Sequence, residues 1–258
     1  MVLLDDGFPP PGVGTSLDEL KKLAGCDAWP VLRIERVAER LGPKSFDALM
    51  GEISAARANG YVALKTIAAY RGGLDLDALG PPRRADRLEG SLVRTVLMAA
   101  LETNEATGDP LPVQVHTGFG DQDLSLPHAR PGLLKPVIER FAQTRFVLLH
   151  CYPFVREAGW LAHVYGHVFF DLSLTIPLVA RPDEVLAEAL ELAPVSKLLY
   201  ASDAARTPEL YFLAATWWRD ALATVLPGLL GDEAAVVAAG MILRTNALGV
   251  YRLRDGTG

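Results

Sequence analysis

The sequence predicts an α/β fold: seven β/α units around a parallel sheet, closed in the manner of a TIM-like (β/α) barrel. Three observations predict it. Short apolar runs alternate with longer segments of helical period, seven times over. Several runs, such as Phe146-Val147-Leu148-Leu149, are apolar at every position, as strands covered on both faces are. Polar residues also stand just past run after run. A barrel gathers its functional side chains at such strand ends, which favours it over an open doubly wound sheet.

The runs occupy 2–4, 29–34, 61–67, 111–115, 146–149, 168–174 and 198–200. Helical periodicity fills the intervals. Ser16-Leu17-Asp18-Glu19 is a capping box opening a helix over 17–23. Ser45 is placed to cap a helix over 46–58, and Gly60 to end it in a left-handed conformation. Further helices are expected over 84–107, 133–143, 155–165, 183–192, 208–225 and 232–250. Pro131, Pro182 and Pro208 stand where helices start, where a missing N–H costs nothing. Phe8-Pro9-Pro10-Pro11-Gly12 reads as a stiff loop, and no linker or repeat divides the chain.

At 258 residues the chain suits one barrel domain, 1–258. Half of it is hydrophobic (50%), enough for a large core, and its net charge is −6 without a basic stripe, which argues against nucleic acid. Cys26 and Cys151 are too few for a disulfide framework and read as reduced thiols. Asp5 and Asp6 cut short the apolar start, so no signal peptide is expected, and no stretch approaches the roughly 20 apolar residues of a membrane span. These readings point to a cytoplasmic protein with no membrane and no nucleic-acid partner.

The chemistry concentrates at strand ends. Val113-Gln114-Val115 ends at His116, the run over 146–149 ends at His150, Leu198-Leu199-Tyr200 leads to Asp203, and Val62-Ala63-Leu64 ends at Lys65. Two imidazoles and a carboxylate, brought to one rim, suit a divalent metal. A carboxylate beside it can move a proton from water to a leaving group. His128, in a Pro-flanked loop, and His163 and His167, separated by Gly166, read as surface residues, and Trp217-Trp218 as packing. The glycines match no phosphate-binding fingerprint, so a nucleotide cofactor is not expected.

At these residues the sequence resembles the amidohydrolase-related metal-dependent hydrolases, in the branch fused in some proteins to a glutamine-synthetase-like domain. The matching strings are Lys65-Thr66-Ile67-Ala68-Ala69-Tyr70-Arg71-Gly72-Gly73-Leu74, Val115-His116-Thr117-Gly118-Phe119-Gly120-Asp121, Leu149-His150-Cys151-Tyr152-Pro153 and Tyr200-Ala201-Ser202-Asp203-Ala204. The resemblance implies a metal held by His116, His150 and Asp203, zinc first and manganese as the other choice. It implies catalytic roles for Asp203, His150 and Lys65. Tyr70, Arg71 and Tyr152 would bind substrate, with Arg71 clamping a carboxylate. The implied reaction is hydrolysis of a C–N bond, an amide or related bond, in a small molecule; a decarboxylase or lactonase of the same superfamily would use the same groups. The family's first strand carries a His-x-His pair, and this chain has none. The run at 2–4 matches the family's second strand, so the barrel is expected to lack its first strand and the domain to be N-terminally incomplete. An incomplete barrel exposes two strand edges. Those edges imply an upstream segment, a homo-oligomer or another chain supplying a strand, or an impaired barrel that binds a partner without turnover.

Overall fold

The structure is a computed structural model and describes residues 2–5, 7, 14–42, 46–80, 88, 90–205 and 207–254. Seven strands form one sheet in chain order, and every neighbouring pair is parallel. They are β1 (Val2–Asp5), β2 (Ala28–Arg33), β3 (Ala63–Thr66), β4 (Val113–Thr117), β5 (Phe146–His150), β6 (Val168–Asp171) and β7 (Leu198–Leu199). Parallel strands that each return through a right-handed crossover twist in one sense and curl the sheet. The curl stops short of closure: among the described residues β7 does not pair with β1.

The two-residue period of a strand sorts side chains to two faces. Leu32, Leu64, Val113, Val115, Phe146, Leu148, Phe170 and Leu198 point outward into the large core beneath the helices. Val31, Ala63, Val147, Leu149 and Leu199 point inward and pack with Leu3, Phe169, Val250 and Tyr251 in a second, smaller core. Tyr251, near the C-terminus, plugs this interior and accepts a hydrogen bond from Gln114 Nε2 at 2.9 Å. Asp5, Arg33, Lys65, His116 and Asp171 share the inward parity, one or two residues beyond the apolar filling. Period and strand length together put them on the C-terminal rim.

The helices are α1 (Leu17–Ala24), α2 (Ile34–Leu41), α3 (Phe46–Ala55), α4 (Ser91–Ala106), α5 (Lys135–Arg140), α6 (Val155–Val164), α7 (Thr175–Leu178), α8 (Pro182–Leu190), α9 (Glu209–Leu230), α10 (Asp232–Gly240) and α11 (Asn246–Tyr251). The Ser16/Glu19 capping box forms as expected, and Gly25 ends α1 in the left-handed region. Ser45, the loop over 8–12 and the expected helix start at 84 lie outside the described residues. Helix α2 was not foreseen. Arg33 ends β2 and leads straight into the helix with no side-chain cap, so no turn residue separates the apolar run from it. The expected single helix over 232–250 is instead α10, a π-helical turn at Met241–Thr245, and α11.

The stretch Asp232–Tyr251 also corrects the expectation of no span-length apolar segment, since by length and composition it could cross a membrane. Here Ala235, Ala238, Ile242, Val250 and Tyr251 are buried against the barrel. Cys26 and Cys151 are both free thiols.

Candidate active site

His116 lies next to last in β4 on the inward face, and its ring lies 4.5 Å from that of His150, centroid to centroid. His150 reaches the same place differently. It follows inward-facing Leu149, so a regular strand would turn it outward. Instead His150 and Cys151 both adopt positive φ, 66° and 68°. That left-handed turn, costly for non-glycine residues, delivers the second imidazole to the rim. It is held on three sides: Asp171 Oδ1 accepts from the His150 backbone N–H at 2.8 Å, Ser173 Oγ meets Nδ1 at 2.7 Å, and Thr175 Oγ1 donates to the His150 carbonyl at 2.7 Å.

The loops after β4 and β5 interlock behind the two rings. Phe119 N–H donates to Tyr152 O at 2.7 Å. Gly118 has φ 71°, and a Cβ there would collide with the Cys151–Tyr152 backbone. Tyr70 lies against His116 with ring centroids 4.6 Å apart and accepts from Asp121 N–H at 3.0 Å. A Cβ on Gly120 would collide with the Tyr70 hydroxyl, so a larger residue there would displace this cover.

Both imidazoles are neutral bases. Burial holds His116 well below the ordinary histidine value, helped by His150 and by the positive charge of Lys65. Burial, reinforced by Lys65, brings His150 down to about 3. His116 bonds the Phe119 backbone, while its Nε2 is buried with no hydrogen-bond partner. An orphaned ring nitrogen of this kind carries a lone pair with nothing to accept, a costly state unless a cation or substrate fills it.

On the opposite side of the mouth Lys65 Nζ lies 2.9 Å from Asp5 Oδ2, and Arg33 grips the same oxygen, with Nε at 3.1 Å. Burial alone would raise the Asp5 pKa, but Lys65 and Arg33 together outweigh it and hold the carboxyl below its usual range. Arg71 pairs with Glu39 at 3.0 Å while its Nε has no partner. Glu35 is 1% exposed and accepts from Ile67 N–H at 3.0 Å and from the Thr66 hydroxyl. It thereby fixes the chain between Lys65 and Tyr70, and burial raises its pKa.

The structure thus joins His116, His150 and Tyr70 in one contact group. Lys65 stands beside Asp5, and Tyr152 stacks edge-on to Phe119, 40% exposed. Asp203, with φ 51°, follows β7 and is exposed at the rim. The protein around it raises its carboxyl pKa, Lys65 and Arg33 oppose this, and solvent screens all of these effects. Among the described residues no three His, Cys, Asp or Glu side chains gather closely enough to hold a metal. His128 and His163 are exposed, and His167 bonds the Ile138 carbonyl; none of the three joins the site.

Sequence reasoning missed Asp5, Arg33, Glu35, Asp171, Ser173 and Thr175. The rule that found His116 applies equally to Asp5, the polar end of an apolar run; Arg33 lay inside the run over 29–34 and ends the strand only in the structure. Asp171, Ser173 and Thr175 alternate with Leu172 and Leu174, a two-residue period submerged in a stretch read as one apolar strand.

Comparison with known proteins decides the family. The amidohydrolase family model matches residues 60–253, most of the chain and all of the strand ends from Lys65 to Asp203. The chain belongs to the amidohydrolase family. A crystal structure described as a metal-dependent hydrolase from Lactobacillus casei ATCC 334 superposes with a TM-score of 0.87 at 31% identity, over 97% of this chain and 72% of that one. Protein fluG of Emericella nidulans is 35% identical over 242 residues, covering 82% of this chain; the chain spans only 28% of that protein's length. Dihydroorotase (pyrC) of Campylobacter jejuni, with a TM-score of 0.54 at 16% identity over 93% of this chain and 70% of that one, shares the fold alone. Family membership and the Lactobacillus likeness support hydrolase-type function and imply a divalent metal.

Proposed function

We propose that this amidohydrolase is a metal-dependent hydrolase that cleaves a C–N bond, an amide or related bond, of a small molecule. One observation carries the reading: the unpartnered, buried Nε2 of His116 beside the ring of His150. Two neutral imidazoles are a donor pair suited to zinc, with manganese as the other candidate. His116 and His150 would hold the ion, with Asp203 as the third protein donor. A divalent metal there would polarise the scissile carbonyl and lower the pKa of water to roughly 7.

The chain's own groups do the rest. The Asp203 carboxylate, open to solvent, takes the proton of the attacking water and returns it to the leaving nitrogen. Tyr70 roofs His116 and closes the mouth above it. The unpartnered Arg71 Nε supplies a donor for a substrate carboxylate. Tyr152 and Phe119 form an aromatic wall at the entrance. Lys65, held by Asp5, reinforces the burial that keeps the imidazoles unprotonated. Two free thiols accord with a reducing, cytoplasmic setting.

Elemental analysis of the full chain, with an amide panel assayed before and after chelation, tests this. About one equivalent of zinc or manganese is expected, lost together with turnover in His116→Ala. Metal-free protein that stays inert after metal is added overturns it. A second reading, a barrel that binds a small molecule or partner without turnover, rests on the absence of a three-ligand cluster among the described residues. The inert outcome of the same experiment favours it.

A further inference from the structure

His150 is gripped by three side chains from one short segment, 171–175, that enters α7 directly after β6. Asp171 Oδ1 accepts from two backbone N–H groups, His150 at 2.8 Å and Ser173 at 3.0 Å, so that oxygen is an acceptor. The Ser173 hydroxyl therefore donates to the same oxygen, at 2.7 Å. With its proton committed there, Ser173 Oγ can only accept from His150 Nδ1, 2.7 Å away. Thr175 closes the grip by donating to the His150 carbonyl at 2.7 Å. All three residues are buried: Asp171 is 3% exposed, Ser173 2% and Thr175 0%. Among the described residues Nε2 of His150 has no hydrogen bond.

We propose that Asp171, Ser173 and Thr175 are positioning residues: they fix His150 as its Nδ1–H tautomer and hold its left-handed backbone, leaving the Nε2 lone pair to face the mouth beside His116. The use made of that lone pair, as a metal donor, rests on the proposed function. The tautomer itself does not. A histidine bound through Nε2 is oriented by whatever accepts its other N–H, and losing such a partner typically weakens metal binding about 10- to 100-fold.

The test uses the full chain with 15N-labelled histidine, metal-free and then titrated with zinc. In the wild type the His150 proton is expected on Nδ1. Ser173→Ala should give a mixture of tautomers and zinc binding weaker by about 10- to 100-fold. Ser173→Thr, which keeps the hydroxyl, should recover both. Asp171→Asn, close in shape, provides a second variant should Ser173→Ala not fold, and should shift the tautomer in the same direction. A wild-type His150 protonated on Nε2, or tautomer and affinity unchanged in both variants, overturns the inference. Wild-type protein that binds no zinc while His150 keeps its proton on Nδ1 overturns the hydrolase reading and supports this one.

Discussion

Asp5 answers two cations with one carboxylate, and all three side chains are largely withdrawn from water, at 10% to 16% exposure. Removing the common partner leaves the Lys65 ammonium without its carboxylate and takes one partner from Arg33. Asp5→Asn is therefore expected to cost about 3 kcal/mol in urea unfolding, the low end for a broken buried pair because water reaches its edge. Since the folded pKa of Asp5 lies below its ordinary 3.8, its contribution is present above that pH and fades as pH falls through the folded value. His150 acts with the same sign, in a higher pH window. Its folded pKa of about 3 lies below the ordinary 6.5, so on acidification the unfolded chain takes up this proton first and the metal-free fold weakens below pH 6.5. His150→Asn should reduce the stability lost between roughly pH 7 and pH 5 by about 2 kcal/mol. Equal pH slopes for variant and wild type would show that the ring is not held neutral. Each of these side chains was in plain view as a residue type at a strand end. Their pairing was not, because Asp5 and Lys65 are 60 positions apart and meet only through the β1–β2–β3 register.

Among elements, the interlocked loops after β4 and β5 carry the most constraint. Gly118→Ala would force a side chain into a positive-φ position already filled by backbone. A loss of roughly 2 kcal/mol or more in thermal unfolding is expected, with weakened zinc binding because both imidazoles hang from these loops. Wild-type stability and affinity in that variant would contradict the account. The contrast is Ser16→Ala at the exposed start of α1, which should cost only about 1 kcal/mol and leave zinc binding untouched. Strands and helix caps were legible because their signals are local: apolar runs, period, Ser-x-x-Glu. Helix α2 was not, because Arg33 passes from strand to helix without punctuation. The clasp over 171–175 was hidden by its leucines, which made a binding segment resemble a buried strand.

The whole molecule is a parallel sheet curled around a small inner core, plugged from the C-terminal side of the chain by Tyr251. Its β1 and β7 are unpaired with each other among the described residues, so each presents backbone donors and acceptors along one edge. We propose that a second copy of this chain covers these edges. Sedimentation across a range of concentrations should then show association of the full chain; a monomer at every concentration argues against a second copy. By itself the sequence determined the number and order of the strands, their parallel sense and the residue types at their ends, because periodicity and strand punctuation are written locally. It also carried the family, through short strings at those ends. Only the tertiary structure decided which ends meet. It put His150 beside His116 through a left-handed turn, paired Lys65 with Asp5, left Asp203 at the rim and closed the Asp171-Ser173-Thr175 grip. These outcomes depend on register, curl and backbone conformation, which arise from the packing of the whole sheet and are encoded in no single segment.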